Sequence, residues 1–293
     1  MFVINTGNLE LRLEVVPAAS LLLHEEVIPD QAENLVLEFR NWANLQNPVI
    51  VDDEYMVLDG HHRASVFREL GFRHILVCRL DYLNAAVQLR YWFRRLGRVL
   101  EPDSFRQLVE EVGGTLQQVD NADTLRKLWR ENRFQCGIQQ SQFFALLHFR
   151  NEVVNDAVSA YRVVETIQKR LVEEGKRLEY IPCQAVEEAR FCQELRADEL
   201  IIWTPRISKK MVVDAVKKNK RFTPKATRHL IPARPLNVNM PIALLREPMP
   251  LEEINGRLME LLNNKKMRRF GPGQIVNGRY YEEALYVFFD ETG

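Results

Sequence analysis

The segment 57–67 constrains the fold of this chain more than any other part of the sequence. An apolar start is followed by an Asp-Gly pair, two histidines and an arginine, and then by a helical pattern of apolar residues. This order predicts a buried strand, a tight turn at Asp59-Gly60 and a helix that begins directly after the turn.

The polar residues of this turn are suited to binding an anion. Backbone N–H groups and the dipole at a helix N-terminus favour negative charge, and an arginine adds a planar fork of donors. Gly60, His61, His62 and Arg63 are therefore candidate phosphate-binding residues, and Asp59 is suited to hold a divalent metal ion or a proton. A solvated turn is the alternative. Helices usually begin with acids, and a helix that breaks this rule is typical of a functional site.

Composition limits the classes to which the chain can belong. Its 293 residues are enough for one large or two medium domains, and an apolar fraction of 46% is ordinary for a folded protein. The 40 Lys and Arg residues balance 40 Asp and Glu residues, so bulk charge gives no support for a nucleic-acid or membrane partner. No apolar run approaches the length of a membrane span, and a signal-peptide pattern is absent. We therefore expect a cytoplasmic protein.

Motifs that would indicate a familiar metal or nucleotide site are absent. The four cysteines, Cys78, Cys136, Cys183 and Cys192, form no C-x-x-C pair and have no histidine at zinc-ligand spacing, so we interpret them as reduced, mostly buried thiols. The chain also lacks the patterns G-x-x-x-x-G-K-[ST], G-x-G-x-x-G and G-x-S-x-G. Any nucleotide chemistry must use a less common site.

The spacing of apolar residues predicts a chain that mixes helices and strands. Strands are expected at 11–16, 48–51, 55–58, 75–77, 143–149, 229–245 and 284–289. Helices are expected at 31–45, 62–70, 84–96, 151–174, 209–218 and 254–262, and two more within 103–135. A change of pattern near residue 100 indicates a boundary between one domain over 1–98 and a second over 99–293.

Two further groups of polar residues are candidates for chemistry. Glu25 follows an apolar run and would serve as a general base, although a solvated carboxylate is the simpler interpretation. Thr227, Arg228 and His229, with Arg234 shortly after, combine a hydroxyl, guanidinium groups and an imidazole that suit anion binding. An ordinary polar loop is the alternative for this second group.

The segment from about 11 to 82 resembles the ParB/sulfiredoxin-like fold, in which a Gly-x-x-Arg turn at the start of a helix binds nucleotide phosphates. Gly60-His61-His62-Arg63 matches that pattern. Sulfiredoxins carry a reactive cysteine where this chain has His61, which excludes their peroxiredoxin-repair chemistry. Partition ParB proteins have Gly-Glu-Arg-Arg at the turn and a helix-turn-helix domain downstream, and the sequence shows neither.

Three separated motifs together resemble the free L-serine kinase branch of this superfamily, which includes an archaeal ADP-dependent enzyme and a staphylococcal enzyme of siderophore-precursor supply. The motifs are Leu23-His24-Glu25, the Asp59-to-Arg63 cluster, and Thr227-Arg228-His229 followed by Arg234-Pro235-Leu236-Asn237. Pro241-Ile242-Ala243-Leu244-Leu245 adds to the likeness with the staphylococcal form. The likeness spans most of the chain and is weakest over 100–140.

This resemblance implies an α+β protein with a ParB/sulfiredoxin-like N-terminal nucleotide-binding domain, a mixed α/β C-terminal domain and an active site in the cleft between them. It implies a kinase that converts free L-serine to O-phospho-L-serine with ATP or ADP and Mg²⁺. Glu25 would be the catalytic base, and Asp59 would lie at the reacting centre as a possible Mg²⁺ ligand. Gly60-His61-His62-Arg63 would bind nucleotide phosphates.

The same resemblance assigns the amino-acid site to the rest of the candidates. Trp92, Thr227, Arg228, His229 and Arg234 would shape the site for the amino acid and its phosphate. The sequence does not choose between ATP and ADP as donor, and it gives neither the oligomeric state nor the pathway served.

Two other functions are open at this point. One is a ParB-like, nucleotide-sensing regulator that binds DNA, against which the zero net charge and the missing helix-turn-helix pattern speak. The other is a kinase for threonine or homoserine, because one methyl group in a pocket shifts selectivity by only about 1–3 kcal/mol.

Overall fold

The structure is a computed structural model that describes residues 1–39, 41–97, 102–183, 195–196 and 198–290. Cys192 lies outside the described residues. The chain divides into two compact units, of which the first contains 1–88 and 229–293 and the second contains 89–228. Both units combine helices with sheets, which confirms the expectation of a mixed helix-and-sheet chain.

The bounds of the elements follow in chain order. The α-helices are α1 (Pro29–Phe39), α2 (His61–Glu69), α3 (Pro102–Glu111), α4 (Ala122–Glu131), α5 (Ala157–Glu173), α6 (Lys209–Lys217), α7 (Ile242–Arg246) and α8 (Leu251–Asn263), and Ala18–Ser20 form a short 3-10 helix. The strands are β1 (Phe2–Asn5), β2 (Glu10–Pro17), β3 (Asn44–Leu45), β4 (Val49–Val51), β5 (Val57–Asp59), β6 (His74–Arg79), β7 (Gln88–Gly97), β8 (Gly114–Val119), β9 (Cys136–Gln140), β10 (Phe143–Phe149), β11 (Arg177–Pro182), β12 (Glu199–Trp203), β13 (Thr227–Leu230), β14 (Ala233–Leu236), β15 (Met240–Pro241), β16 (Lys265–Phe270), β17 (Gln274–Val276), β18 (Arg279–Tyr281) and β19 (Ala284–Asp290).

The first unit is built on a five-stranded sheet with the order β1-β2-β6-β4-β5. β4 and β6 run parallel, and the other neighbours are antiparallel. In β2, Leu11, Leu13 and Val15 are buried while the residues between them are more exposed, as expected for a half-buried strand. β4 and β5 form the expected hairpin, and β5 delivers Asp59 to the start of α2.

The C-terminal segment returns to this first unit, which corrects the expected division into 1–98 and 99–293. In the contact between α8 and β2, the side-chain amide of Asn255 donates to the carbonyl of Val15 and accepts its N–H, both at 2.9 Å. β15 pairs with β3, and β14 and β16 flank β19 in a further sheet. These partners are far apart in the sequence, so a change of local pattern near residue 100 could not reveal that the chain comes back.

The second unit is built on a seven-stranded sheet with the order β11-β7-β12-β9-β10-β8, in which β13 also pairs with β7. Residues 88–97 are a strand, so the expected helix at 84–96 is wrong. Tyr91, Phe93 and Leu96 are buried in β7, which has partner strands on both sides. Aromatic residues favour such a pleated, paired position over a helix. β8, at 114–119, likewise replaces part of the helical pattern expected within 103–135.

The described thiols match the expectation from the sequence. Cys78, Cys136 and Cys183 are buried, and Cys78 and Cys136 are free thiols. Burial raises the pKa of Cys78 to about 12, so this thiol is protonated and unreactive at neutral pH. Across the described ranges, the structure contains no helix that is both long and apolar enough to cross a membrane.

Candidate functional site

The turn between β5 and α2 places Asp59 at the end of a buried strand and Gly60 directly before a helix. Gly60 has a φ of 99° and a ψ of 29°, a left-handed conformation that residues with a side chain rarely adopt. A Cβ atom at this position would lie 2.8 Å from Nη2 of Arg63. The left-handed backbone therefore favours glycine, and any side chain here would displace the guanidinium of Arg63, which folds back over the turn.

Asp59 lies between two guanidinium groups. Nη1 of Arg234 donates a hydrogen bond of 2.7 Å to Oδ2 of Asp59, and Nη2 of Arg63 lies 3.4 Å from the same oxygen. Burial opposes ionisation of Asp59, but the charges of Arg234 and Arg63 outweigh it and hold the pKa well below its ordinary value. Asp59 is therefore an ionised anchor at neutral pH, not a group that exchanges a proton there.

Both arginines are fixed by further contacts. Arg234 donates from Nε to the carboxylate of Glu283. Nη1 of Arg63 donates to the backbone carbonyls of Asn47 at 2.6 Å and Pro48 at 3.1 Å. The charged groups around Asp59 are thus positioned by the protein itself, as a preorganised binding site requires.

A cavity of about 210 Å³ opens beside this charged group. Asp59, Arg63, Arg234 and Arg279 supply the charged part of its wall. Apolar and amide-bearing residues complete it: Trp42, Leu45, Gln46, Asn47, Pro48, Ile50, Pro235, Leu236 and Tyr281. Guanidinium groups and aromatic rings in one cavity suit a ligand that has both an anionic group and a flat ring.

Three histidines from distant parts of the sequence meet beside the turn. Nδ1 of His24 lies 3.1 Å from Nε2 of His61, and the rings of His24 and His229 meet edge-on with centroids 5.2 Å apart. Burial is the largest cause that holds the pKa of His24 well below its ordinary value, and the two neighbouring imidazoles add to it. His24 also forms a hydrogen bond with the backbone of Val57. These contacts fit a neutral His24 that donates to Val57 and accepts at Nδ1 from His61.

Tyr82 joins this group through His229. Nδ1 of His229 lies 3.1 Å from the carbonyl oxygen of Leu58, which can only accept, so Nδ1 carries the hydrogen. Nε2 of His229 lies 2.9 Å from the hydroxyl of Tyr82 and, in a neutral ring, accepts a hydrogen bond from it. His229 is therefore held on both sides, against the strand that leads to Asp59.

The segment that carries Glu25 is fixed to the start of α2 on both sides. Before Glu25, His24 contacts His61. After it, the N–H of Ile28 donates a hydrogen bond of 3.1 Å to Nε2 of His62. Glu25 itself is only 9% exposed. A buried carboxylate on a segment held to the turn between β5 and α2 is in a suitable environment for acid–base chemistry.

In the second unit, Trp92 of β7 lies beside the start of β13. Its indole Nε1 donates a hydrogen bond of 3.2 Å to the carbonyl of Thr227. The guanidinium of Arg228 and the ammonium of Lys225 lie 5.3 Å and 5.8 Å from the centre of the indole ring. The structure therefore groups Trp92 with Thr227 and Arg228 and places two positive charges near the indole ring.

No protein-family model matches the chain. An ATP-dependent L-serine kinase from Staphylothermus marinus is 26% identical over 242 residues, which cover 79% of this chain and 90% of the relative. An ADP-dependent L-serine kinase from Thermococcus kodakarensis is 21% identical over 222 residues, covering 74% of this chain and 86% of the relative. The expected resemblance to L-serine kinases is confirmed.

Solved structures extend the resemblance to the fold. A free serine kinase in complex with AMP matches 80% of this chain and 93% of its own, with a TM-score of 0.62 and 17% identity. A C-terminally truncated SbnI from Staphylococcus aureus matches 86% of this chain and 95% of its own, with a TM-score of 0.64 and 18% identity. The chain therefore shares its fold with these proteins.

In the structure, residues of the motifs shared with serine kinases lie either at the cavity or in contact with His24 and the Glu25 segment. The turn at Asp59-Gly60 and Arg234 meet at the cavity, and His61 and His229 both contact His24. His62 accepts a hydrogen bond from the backbone of the Glu25 segment, a contact that its position in the motif does not suggest.

Several residues of the site have no counterpart among the residues singled out from the sequence. Glu283 pairs with Arg234, Tyr82 holds His229, and Arg279 and Tyr281 line the cavity. For Arg279 a signal existed, because Asn277-Gly278 between two apolar segments is typical of a tight hairpin that would present the next residue. For Tyr82 and Glu283 no local pattern distinguishes them from other polar residues.

Proposed function

We propose that this chain is a kinase that transfers the terminal phosphoryl group of ATP or ADP to the hydroxyl group of free L-serine. The L-serine kinases to which it is similar, over 79% and 74% of its length, support this activity. The observation that carries the proposal is the cavity at the start of α2, where Asp59 is ionised between Arg63 and Arg234. The Gly60-His61-His62-Arg63 turn between β5 and α2 supports the finer proposal that this unit contains a ParB/sulfiredoxin-like nucleotide-binding fold.

Glu25 is proposed as the general base. The serine hydroxyl oxygen attacks the terminal phosphorus, the bond from that phosphorus to the bridging oxygen breaks, and the nucleotide leaves one phosphate shorter. The hydroxyl proton passes to the carboxylate of Glu25. The burial of Glu25 and the two contacts that fix its segment to α2 support this role. A positioned base of this kind contributes about 10²- to 10⁴-fold to the rate.

Phosphoryl transfer otherwise depends on positioning and on neutralising charge. Gly60, His61 and Arg63 lie at the N-terminus of α2, where the backbone N–H groups and the helix dipole favour a phosphate. Arg63 and Arg234 bring two positive charges to the cavity, and Asp59 holds them in place. For His62, the contact with the N–H of Ile28 supports a role in positioning the Glu25 segment.

Mg²⁺ is part of the proposal as an ion carried mainly by the nucleotide. Among the described residues, no group of three or more His, Cys, Asp or Glu side chains is placed to hold a metal ion. Mg²⁺ in nucleotide sites is commonly bound by one or two carboxylates together with phosphates and water. Both contacts of Asp59 with the arginines use Oδ2, so Oδ1 fits one such ligand. When bound, the ion would neutralise charge on the phosphates.

The amino-acid site is proposed from the sequence resemblance. Trp92, Thr227 and Arg228 form one group, in which the carbonyl of Thr227 accepts from the indole of Trp92. His229 and Arg234 are fixed by Tyr82 and by the Asp59 and Glu283 carboxylates. Replacement of Trp92 by Ala is expected to raise the KM for serine more than the KM for nucleotide.

The deciding experiment is a direct assay. Purified protein is incubated with Mg²⁺ and either ATP or ADP, and with L-serine, L-threonine or L-homoserine in parallel, and the phosphorylated amino acid is identified by mass spectrometry. We expect O-phosphoserine with at least one donor and a kcat/KM highest for serine. A product only with threonine or homoserine would correct the substrate, and no phosphorylated amino acid with either donor would contradict the kinase proposal.

A further inference from the structure

We propose that Arg279 is a further phosphate-binding residue of the nucleotide site, an inference that rests on the proposed kinase function. Arg279 lines the same cavity as Asp59, Arg63 and Arg234. None of the motifs that carry the serine-kinase resemblance includes it. The argument depends on its charge, its place on a tight hairpin and the groups that face it.

Among the described residues, Arg279 is the cavity arginine that forms no ion pair, although its charge acts on Asp59 at longer range. Arg63 and Arg234 both contact Asp59, and Arg234 also contacts Glu283. Within the part of the chain that the structure describes, no Asp or Glu lies at ion-pair distance from Arg279. Two carboxylates and three guanidinium groups therefore leave one positive charge at the cavity. A protein cavity with an unbalanced charge of this kind attracts a ligand of opposite sign.

The hairpin formed by β17 and β18 sets the position of Arg279. Val276 pairs with Arg279 across the hairpin, and Asn277 and Gly278 between them have φ values of 50° and 75°. Two consecutive left-handed residues are typical of the tight type I′ turn, which fixes the register of the strands that it joins. The guanidinium of Arg279 is therefore presented from a defined strand position, not from a long loop.

The face of β18 that carries Tyr281 is turned toward the protein interior. Side chains two residues apart on a strand lie on one face, so Arg279 and Tyr281 share a face. Tyr281 is 6% exposed and packs in an apolar cluster with Leu236 and Leu285, and it also lines the cavity. The guanidinium of Arg279 lies 4.8 Å from the centre of the Tyr281 ring. This stacking holds the arginine over the cavity while leaving its N–H donors for a ligand.

A phosphate is the ligand chemistry that fits these groups best. A guanidinium presents a planar fork of donors that matches phosphate oxygens, and it stays charged at every relevant pH. The cavity wall also contains Asp59 and Arg63, which flank Gly60 at the N-terminus of α2, another phosphate-binding feature. The carboxylate of serine carries less charge and is the competing ligand that the experiment must distinguish.

The test compares Arg279→Ala and Arg279→Lys with Arg268→Ala. Arg268 is a matched control, because it is an exposed arginine of the same unit whose guanidinium also lies over an aromatic ring, that of Phe289 at 5.8 Å. Isothermal titration calorimetry gives the Kd of each protein for ADP and for adenosine, and a thermal unfolding midpoint verifies folding. We expect Arg279→Ala to weaken ADP binding by about 10- to 100-fold, the usual effect of losing a charge-assisted contact. Adenosine binding should change by less than about twofold, Arg279→Lys should retain part of the ADP affinity, and Arg268→Ala should match the wild type.

Three outcomes would overturn the assignment. ADP affinity within about twofold of wild type in Arg279→Ala would remove Arg279 from the phosphate site. An equal loss of adenosine and ADP affinity would show that Arg279 shapes the base pocket. A higher KM for serine with unchanged ADP affinity would assign it to the amino-acid carboxylate. A wild-type protein that binds ADP but forms no phosphorylated amino acid would contradict only the kinase proposal. The ADP titrations would still test whether Arg279 binds phosphate.

Discussion

Arg234 donates a hydrogen bond of 2.7 Å to Asp59, a residue 175 positions earlier in the chain. This contact joins β14 of the C-terminal segment to the turn between β5 and α2. It also places two groups that the sequence presents as separate motifs at one cavity. The charge of Asp59 therefore supports both the fold of the first unit and the geometry of the candidate site.

Replacement of Asp59 by Asn is expected to lower the free energy of unfolding by about 2 kcal/mol at pH 7. Removing one partner of a buried pair costs more than this, but the Asp59 side chain is 30% exposed and solvent screens part of the interaction. Because the pKa of Asp59 is depressed in the folded state, its contribution is complete above about pH 4, the ordinary pKa of an unfolded Asp, and is lost as pH falls toward the folded pKa. Urea denaturation at neutral pH and near pH 3 measures both effects.

Asp53→Asn is the matched control for this experiment. Asp53 pairs with Arg12 and Arg79 at the surface and its side chain is 47% exposed, so the change in stability should stay below about 0.5 kcal/mol. If the difference in unfolding free energy between wild type and Asp59→Asn stayed constant from neutral to acidic pH, the ion-pair explanation would be contradicted.

Replacement of Glu25 by Gln is expected to lower kcat by about 10²- to 10⁴-fold, because an amide cannot accept the proton of the serine hydroxyl. The Kd for nucleotide should change little, since a base acts in the transition state. Steady-state kinetics and nucleotide titrations measure the two quantities. Glu26→Gln, at the next position, is the control and should retain most of the activity. Equal losses of turnover and nucleotide affinity in Glu25→Gln would argue for a binding role instead.

Replacement of Gly60 by Ala should destabilise the protein by about 1–3 kcal/mol and weaken nucleotide binding. The new methyl group meets Arg63 at 2.8 Å, and the left-handed backbone is unfavourable for alanine. Gly7→Ala provides a comparison, because Gly7 also has a positive φ, 92°, but a Cβ there meets nothing within 4 Å. Chemical denaturation and nucleotide titration of both variants separate backbone strain from crowding. If Gly7→Ala lowered nucleotide affinity as much as Gly60→Ala, displacement of Arg63 would not be the cause.

His24 should make stability depend on pH below about 6.5. The folded protein keeps His24 neutral, while the unfolded chain binds a proton there, so the unfolding free energy falls by up to about 1.4 kcal/mol for each pH unit below that value. A His24→Asn variant lacks this group and should show a flatter dependence. Denaturation curves between neutral pH and about pH 5.5 test this. Identical slopes for the two proteins would show that His24 titrates normally in the fold.

Local features of the site were predictable from the sequence. The turn at Asp59-Gly60 and the start of α2 at His61 follow from an apolar strand, a turn pair and a helical pattern within a few residues. The Gly-x-x-Arg turn and the choice of Arg234 as a candidate substrate-binding residue follow from the resemblance, and the structure places Arg63 and Arg234 at one cavity.

Long-range relationships were not predictable in the same way. Tyr82 fixes His229, and Glu283 fixes Arg234. The partners of each pair are far apart in the sequence, so no local sequence pattern indicates these contacts. The run around Trp92 fits both a helical and an alternating pattern, and only the partner strands of β7 decide in favour of a strand. The return of 229–293 to the first unit also depends on pairing between distant strands.

The interleaved order of the first unit has a consequence for biosynthesis. Asp59 and Arg63 leave the ribosome long before Arg234, Arg279 and Glu283, so a nascent chain holds Asp59 beside Arg63 but lacks its main cationic partner, Arg234. Every residue of the second unit must be translated before that partner arrives. A premature stop anywhere ahead of residue 234 should therefore yield a product that cannot assemble the cavity, however well its early strands pair.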